Sequence, residues 1–170
     1  MSRPLALLLL GLWLGLLVSS WVMATVNFRT AERLASDQAA PALKARLAPL
    51  PADDRRLALR HLASEINRWM FRGIGIAQSV LGLALVALVW RLGGAARALA
   101  CVALVLVALQ IGVLAPMIAA VGRETDFMSR PLPAALARRF GIAHGGYVVV
   151  DLAKACLLAA IAFLLARRGS

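Results

Sequence analysis

Four long apolar runs, separated by two polar stretches and one short turn, set the pattern of this chain. They cover residues 4–26, 71–90, about 98–120 and about 140–166, and the first reads PLALLLLGLWLGLLVSSWVMATV. Each is long enough for a helix rising ~1.5 Å per residue to cross ~30 Å of hydrocarbon. The elements predicted are therefore four transmembrane helices, making an all-α, four-helix integral membrane bundle in one domain over residues 1–170. The first run, with its basic start and its small residues before Trp21, also resembles a signal peptide. It is longer than a leader's apolar core and holds Trp13 and Trp21, so it reads as a retained span.

The polar stretches carry helical patterning of their own. Residues 27–70 form an excursion broken by Pro41, Pro49 and Pro51, and Asn27 to Ser36 is predicted to continue the first helix past the membrane surface. Pro51-Ala52-Asp53-Asp54 reads as a helix start, with acids complementing the positive end of the dipole. Beyond it Leu59, Leu62, Ile66 and Trp69 recur at steps of three, four and three, opposite Arg60, Asn67 and Arg68. This apolar face is expected to lie against the membrane domain or a partner. In the second span Gly75 and Ser79, four apart, suit a close helix contact. The short turn Arg91-Leu92-Gly93-Gly94-Ala95 makes spans two and three antiparallel neighbours. Pro116 is expected to kink or loosen the end of span three. The second polar loop, Gly122 to Arg139, is interrupted by Pro131 and Pro133, and Arg167-Arg168 anchors the last span.

The fourth span, HGGYVVVDLAKACLLAAIAFLL, carries the chemistry. His144, Tyr147, Asp151 and Lys154 follow at three, four and three residues, the spacing of one helix face. Asp151 lies about 10 Å along the helix from His144. An ionisable group at such depth costs ~2.5–3.5 kcal/mol on insertion scales and faces protein or a wet cavity. Asp151 and Lys154 form an i,i+3 pair, which costs less to bury than either alone. Tyr147 can donate its hydroxyl to the carboxylate, and His144 sits where it still senses bulk pH. Two readings stay open: a polar site or proton path completed by Gln78 and Gln110, or a network that fixes helix packing.

Composition narrows the classes. The chain is 62% hydrophobic and 16% charged, and its net charge is +11. No basic run is interleaved with aromatics, so the charge points to the lipid bilayer and not to nucleic acid. Counted to Arg72, the excursion and the second polar loop hold 13 basic residues against five on the other side of the bundle. The positive-inside rule then places both in the cytoplasm and both termini outside. Arg55, Arg56 and Arg60 read as a solvated face, with lipid headgroups or an acidic partner as the alternative. Cys101 and Cys156 are packing residues, and no ligands stand at metal spacing. His61 and His144 do not share a depth that haem ligation would need, so no cofactor is expected. Asp53-Asp54 is a helix start, and no catalytic serine setting or phosphate loop is present.

The segment RFGIAHGGYVVVDLAK is similar to the Phe-Gly…His-Gly-x-Ser-x-x-x-Asn signature of a family of small four-helix membrane proteins, bacterial relatives of vertebrate transmembrane protein 205. Phe140, Gly141, His144 and Gly145 match, while Tyr147 stands where the family has serine and Asp151 where it has asparagine. Pro116 also resembles a proline of that family near the end of span three. The resemblance covers the last third of the chain, and elsewhere extends only to helix count and order. It implies a multi-pass protein of the bacterial cytoplasmic (inner) membrane and no particular activity. The expectation is a non-enzymatic membrane protein with a polar site for a proton, ion or small ligand. The alternative is a structural or assembly subunit with a membrane-protein partner; an enzyme or redox carrier has no motif to support it.

Overall fold

The computed structural model describes residues 2–90 and 94–167. Among these the chain is helical apart from short connections. The elements are α1 (Ser2–Ala35), α2 (Pro41–Leu47), α3 (Ala52–Trp90), α4 (Gly94–Leu109), a π-helical turn (Gln110–Leu114), α5 (Ala115–Thr125) and α6 (Ala134–Arg167). α4, the π turn and α5 make one continuous rod. Four helices are thus long and apolar enough to cross a membrane, and they pack together as a bundle. The expected turn at Arg91-Leu92-Gly93, and Arg168, lie outside the described residues. Gly94 starts α4 at φ 61°, a left-handed conformation that glycine adopts without strain.

The helices form a ring in which α1 touches α3 and α6, and α4 touches α3 and α6. The Arg3 guanidinium donates to the carbonyl of Ala166 at 2.9 Å, so α1 begins where α6 ends. At the opposite end the excursion and the second polar loop meet, where His61 Nδ1 lies 3.0 Å from Asp126 Oδ2.

One repeat organises the core. Ala6, Leu10, Trp13, Leu17 and Ser20 of α1 are buried, as are Gly75, Gln78, Gly82, Leu85 and Val89 of α3. Ala96, Ala100, Ala103, Val107 and Gln110 continue the ring, and Asp151, Lys154, Leu158, Ile161 and Leu165 of α6 close it. All four stripes alternate steps of three and four, the knobs-into-holes repeat of helices that wind gently about one another. Gly82 makes the tightest contact possible: a Cβ there would come within 2.9 Å of both the Trp13 ring and Leu104 Cδ1. Gly75 likewise admits Ile111 of the π turn, while Ser79 donates back to the Gly75 carbonyl at 3.0 Å.

Two expectations need correction. α3 has 39 residues without a break, about 58 Å at ~1.5 Å per residue, nearly twice the hydrocarbon thickness. It runs unbroken into the excursion, where the buried positions step by four and three but join Gly75 of the core repeat through a step of five. Ala63, Asn67 and Met70 are buried, whereas Leu62, Ile66 and Trp69 are 55%, 45% and 81% exposed. Leu62, Ile66 and Trp69 therefore do not lie against the membrane domain, the first of the two places expected for this stripe, and the face with Arg60, Asn67 and Arg68 does. Pro116 is expected to kink or loosen the last turn; the helix instead runs on to Thr125, and the loosening lies before the proline, in the π turn. Proline offers no N–H and its ring crowds the carbonyl four residues back. The chain accommodates this upstream of Pro116, where the Ala115 N–H reaches the Gln110 carbonyl in the wider π turn.

Outside the core, Ser36 ends α1 by donating to the Arg33 carbonyl at 2.8 Å. α2 opens on Pro41 and buries no residue. α3 opens with Asp53 and Asp54 in its first turn, as its start signal predicts.

Candidate functional site

Apart from Ser20, which donates to the Leu17 carbonyl of its own helix, the polar positions of the core repeat fall at one level of the bundle and join. Lys154 and Asp151 are 0% and 2% exposed and pair at 2.9 Å from Nζ to Oδ1. The ammonium also donates to Gln78 Oε1 at 2.5 Å and to Gln110 Oε1. Its three protons thus have three acceptors. Gln110 Nε2 donates to Asp151 Oδ1 at 2.9 Å and to the Tyr147 carbonyl at 3.1 Å. The remaining carboxylate oxygen accepts from Trp21 Nε1 at 3.0 Å. Every long helix contributes: Trp21 from α1, Gln78 from α3, Gln110 from the π turn, Asp151 and Lys154 from α6. A buried ion pair is tolerable only when hydrogen bonds saturate it in this way.

Of the six residues singled out from sequence, four meet here: Gln78, Gln110, Asp151 and Lys154. Tyr147 gives its main-chain carbonyl, and its hydroxyl makes no hydrogen bond to Asp151. Its ring instead meets Phe71 edge-on, with centroids 5.5 Å apart. His144 is remote from the pair and exposed, stacked on Phe140 at 5.7 Å. The single stripe expected on α6 is divided by the Phe71–Tyr147 contact into a buried part and an open part. Trp21 is the member that sequence reasoning missed. An indole in an apolar run reads as lipid-facing or core, and nothing local marks it as a donor to a residue 130 positions away.

The open part belongs to a cleft of about 420 Å³ at the excursion end of the bundle. Phe28, Phe71, Ile118 and Phe140 give it apolar walls, and Arg60, Arg68, Arg130, Asn67 and His144 give it polar ones. Asn27 Nδ2 donates to Asn67 Oδ1 at 2.6 Å and fixes α1 to α3 beside it. Arg60 and Arg56 reach Glu32 of α1 at 3.4 and 3.8 Å, so these basic residues find their acidic partner within the chain.

A second polar cluster borders the cleft. Arg68 bridges Asp126 and Glu65, at 2.6 Å each. Its hydrogen bond holds the Glu65 carboxyl below its ordinary range. Burial alone would lower the Arg68 guanidinium, but the bonds to Asp126 and Glu65 outweigh it and raise it. Arg130 is lowered, first by partial burial and then by the charge of Arg60. His61, Glu65 and Asp126 place one donor atom each within 4.8 Å of one another, a set that could hold a metal ion by its donor chemistry. Sequence spacing did not reveal it because Asp126 lies 65 positions from His61. The Arg68 guanidinium already supplies the positive charge between the two carboxylates, so the set is an ion-pair cluster.

Chemically, then, the bundle offers a neutral, saturated polar layer and, next to it, an open amphipathic cleft. Comparison of the chain with family models, with curated proteins and with solved structures finds no match.

Proposed function

We propose that this is a non-enzymatic, multi-pass protein of a bacterial cytoplasmic membrane that binds a small ligand in the cleft between α1, α3, α5 and α6. The Asp151–Lys154 layer is the pin that holds the four spans beneath it. The contrast between the two sites carries this reading. All three Lys154 protons, both Asp151 oxygens and both Gln110 amide protons are engaged within the protein. The cleft is open, and it lies at a bundle end where side chains converge from several helices, a usual place for a ligand. The likeness to the transmembrane protein 205-related family supports the bacterial membrane assignment, and two residues that carry it, Phe140 and His144, line the cleft.

Native mass spectrometry of gently solubilised protein tests the reading. The wild type should carry a bound small molecule, and Ser64→Trp, which fills the cleft with an indole, should lose it while keeping its helical content. A bare wild-type mass under all gentle conditions would sink the proposal.

A second reading, as a subunit of a larger membrane complex, is favoured by one observation. Leu62, Ile66 and Trp69 form an outward apolar stripe at and beyond the membrane edge. A stoichiometric partner that co-purifies with wild type but not with a Leu62→Ser, Ile66→Ser variant is the expected sign. A clean monomer after mild solubilisation counts against it.

A further inference from the structure

We infer that the ligand of the cleft is an anionic amphiphile, its phosphate or carboxylate head held by Arg130 and Arg60 and its chain laid along Phe28, Phe71 and Phe140. The inference rests on the cleft being a binding site at all, and adds the class of molecule.

Charge balance inside the cleft is the first argument. Arg68 is neutralised by Asp126 and Glu65, and Arg60 is in part neutralised by Glu32. Arg130 has no carboxylate within ion-pair distance among the described residues. It shares the cleft with Arg60, whose charge it feels. Asp126 also lines the cleft but is engaged by Arg68 and His61, so Arg130 and Arg60, with Glu32 shared between Arg60 and Arg56, leave a site that an anion stabilises. A planar guanidinium suits phosphate and carboxylate oxygens better than halide.

Position is the second. Phe71 begins the second apolar run and Phe140 the fourth, so the aromatic wall stands at the membrane edge. The arginines project from the polar side, Arg60 about three turns before Phe71 on the same helix. A molecule that fills both halves has a charged end toward water and an apolar end toward hydrocarbon. The volume of about 420 Å³ accepts a headgroup and the first part of a chain, leaving the remainder to the adjoining bilayer. A soluble anion would leave the aromatic wall bare, and a lipid without an anionic group would leave Arg130 unpaired.

The test uses the full chain in neutral detergent, titrated by native mass spectrometry with four probes. These are phosphatidylglycerol, phosphatidylcholine of the same chains, dodecyl phosphate and inorganic phosphate. Phosphatidylglycerol should bind about tenfold more tightly than phosphatidylcholine, because the choline cation neutralises its own phosphate and brings a like charge to the two guanidinium groups. Dodecyl phosphate should compete with it, and inorganic phosphate should not. Arg130→Gln should weaken phosphatidylglycerol about tenfold, Arg130→Lys should recover part of this, and Arg72→Gln, an equal charge change outside the cleft, should have little effect. Binding of dodecyl phosphate without phosphatidylglycerol would still support the class and point to a soluble single-chain source.

Equal loss in Arg72→Gln and Arg130→Gln would overturn the inference, as would inorganic phosphate matching dodecyl phosphate. If both phospholipids bind alike and Ser64→Trp abolishes both, the cleft remains a binding site and only its charge selectivity fails. If Ser64→Trp leaves every probe unaffected, the cleft reading itself fails.

Discussion

Trp21 Nε1 and Asp151 Oδ2 lie 3.0 Å apart, which ties α1 to α6 across the closing edge of the ring. This is the one side-chain hydrogen bond among the described residues that brings α1 into the buried polar layer, and it engages the carboxylate oxygen that Lys154 does not touch. Trp21→Phe keeps most of the ring's bulk and removes the donor. It should lower unfolding free energy in detergent by about 1.5–3 kcal/mol, the range for a hydrogen bond to a charged group. An unchanged unfolding midpoint would show that the bond contributes nothing.

Asp151→Asn leaves the Lys154 ammonium buried without its counter-charge. Removing one partner of such a pair costs about 3–5 kcal/mol. Adding Lys154→Met removes the stranded charge, and the amide oxygen introduced by the first change can still accept from Trp21. We expect the double variant to regain more than half of the loss. Failure of the second change to restore stability in a thermal melt would refute the pinning role.

Gly82→Val should be harmful out of proportion to its size. The first added carbon alone meets the Trp13 ring and Leu104 at 2.9 Å, and both helices are held by the core repeat on either side. Overpacking of this kind costs about 1–3 kcal/mol. Substitution at Gly11, where a Cβ meets nothing within 4 Å, is the matched control and should be silent.

The excursion end should loosen in acid. Glu65 has a carboxyl held below its ordinary value of 4.5 by Arg68. A lowered folded pKa gives stability that is present above the unfolded value and is lost as pH falls through the folded one. Between about pH 5 and pH 3 the melting temperature of wild type should therefore drop more than that of Glu65→Gln. Because the carboxylate is exposed, the difference will be small. Parallel acid profiles of the two proteins would contradict the assignment.

What the sequence showed, and what it hid, follows from the range of each interaction. The four spans were legible because length and apolarity are local, and α3 began at its acids for the same reason. Gln78 and Gln110 could be named as partners of Asp151 and Lys154 because amides in apolar runs are conspicuous. Trp21 could not, since an indole is at home in lipid with or without its N–H engaged. The outward turn of Leu62, Ile66 and Trp69 was hidden for a different reason. Local periodicity finds an apolar face but not its direction, which is set here by bonds to distant residues: Asn67 to Asn27, Arg60 to Glu32 and Arg68 to Asp126. Asp126 escaped because its partners, His61 and Arg68, are distant in sequence.

The π turn has an effect on the cleft that composition would never disclose. Counted on from Gln110 in steps of four and three, the inward positions of an unbroken helix would be 114, 117, 121 and 124. Glu124 would then point into the cleft. In the structure Val121 is still buried, but with one surplus residue in the turn the cleft receives Ile118, Gly122 and Thr125, and Glu124 faces away to Arg139 at 3.2 Å. The polarity of the cleft is thus a matter of phase: a single residue of helical slippage separates an anion-accepting surface from a self-neutralised one. Deleting Gly112 removes no charge from the chain, yet it should abolish anion selectivity as thoroughly as Arg130→Gln.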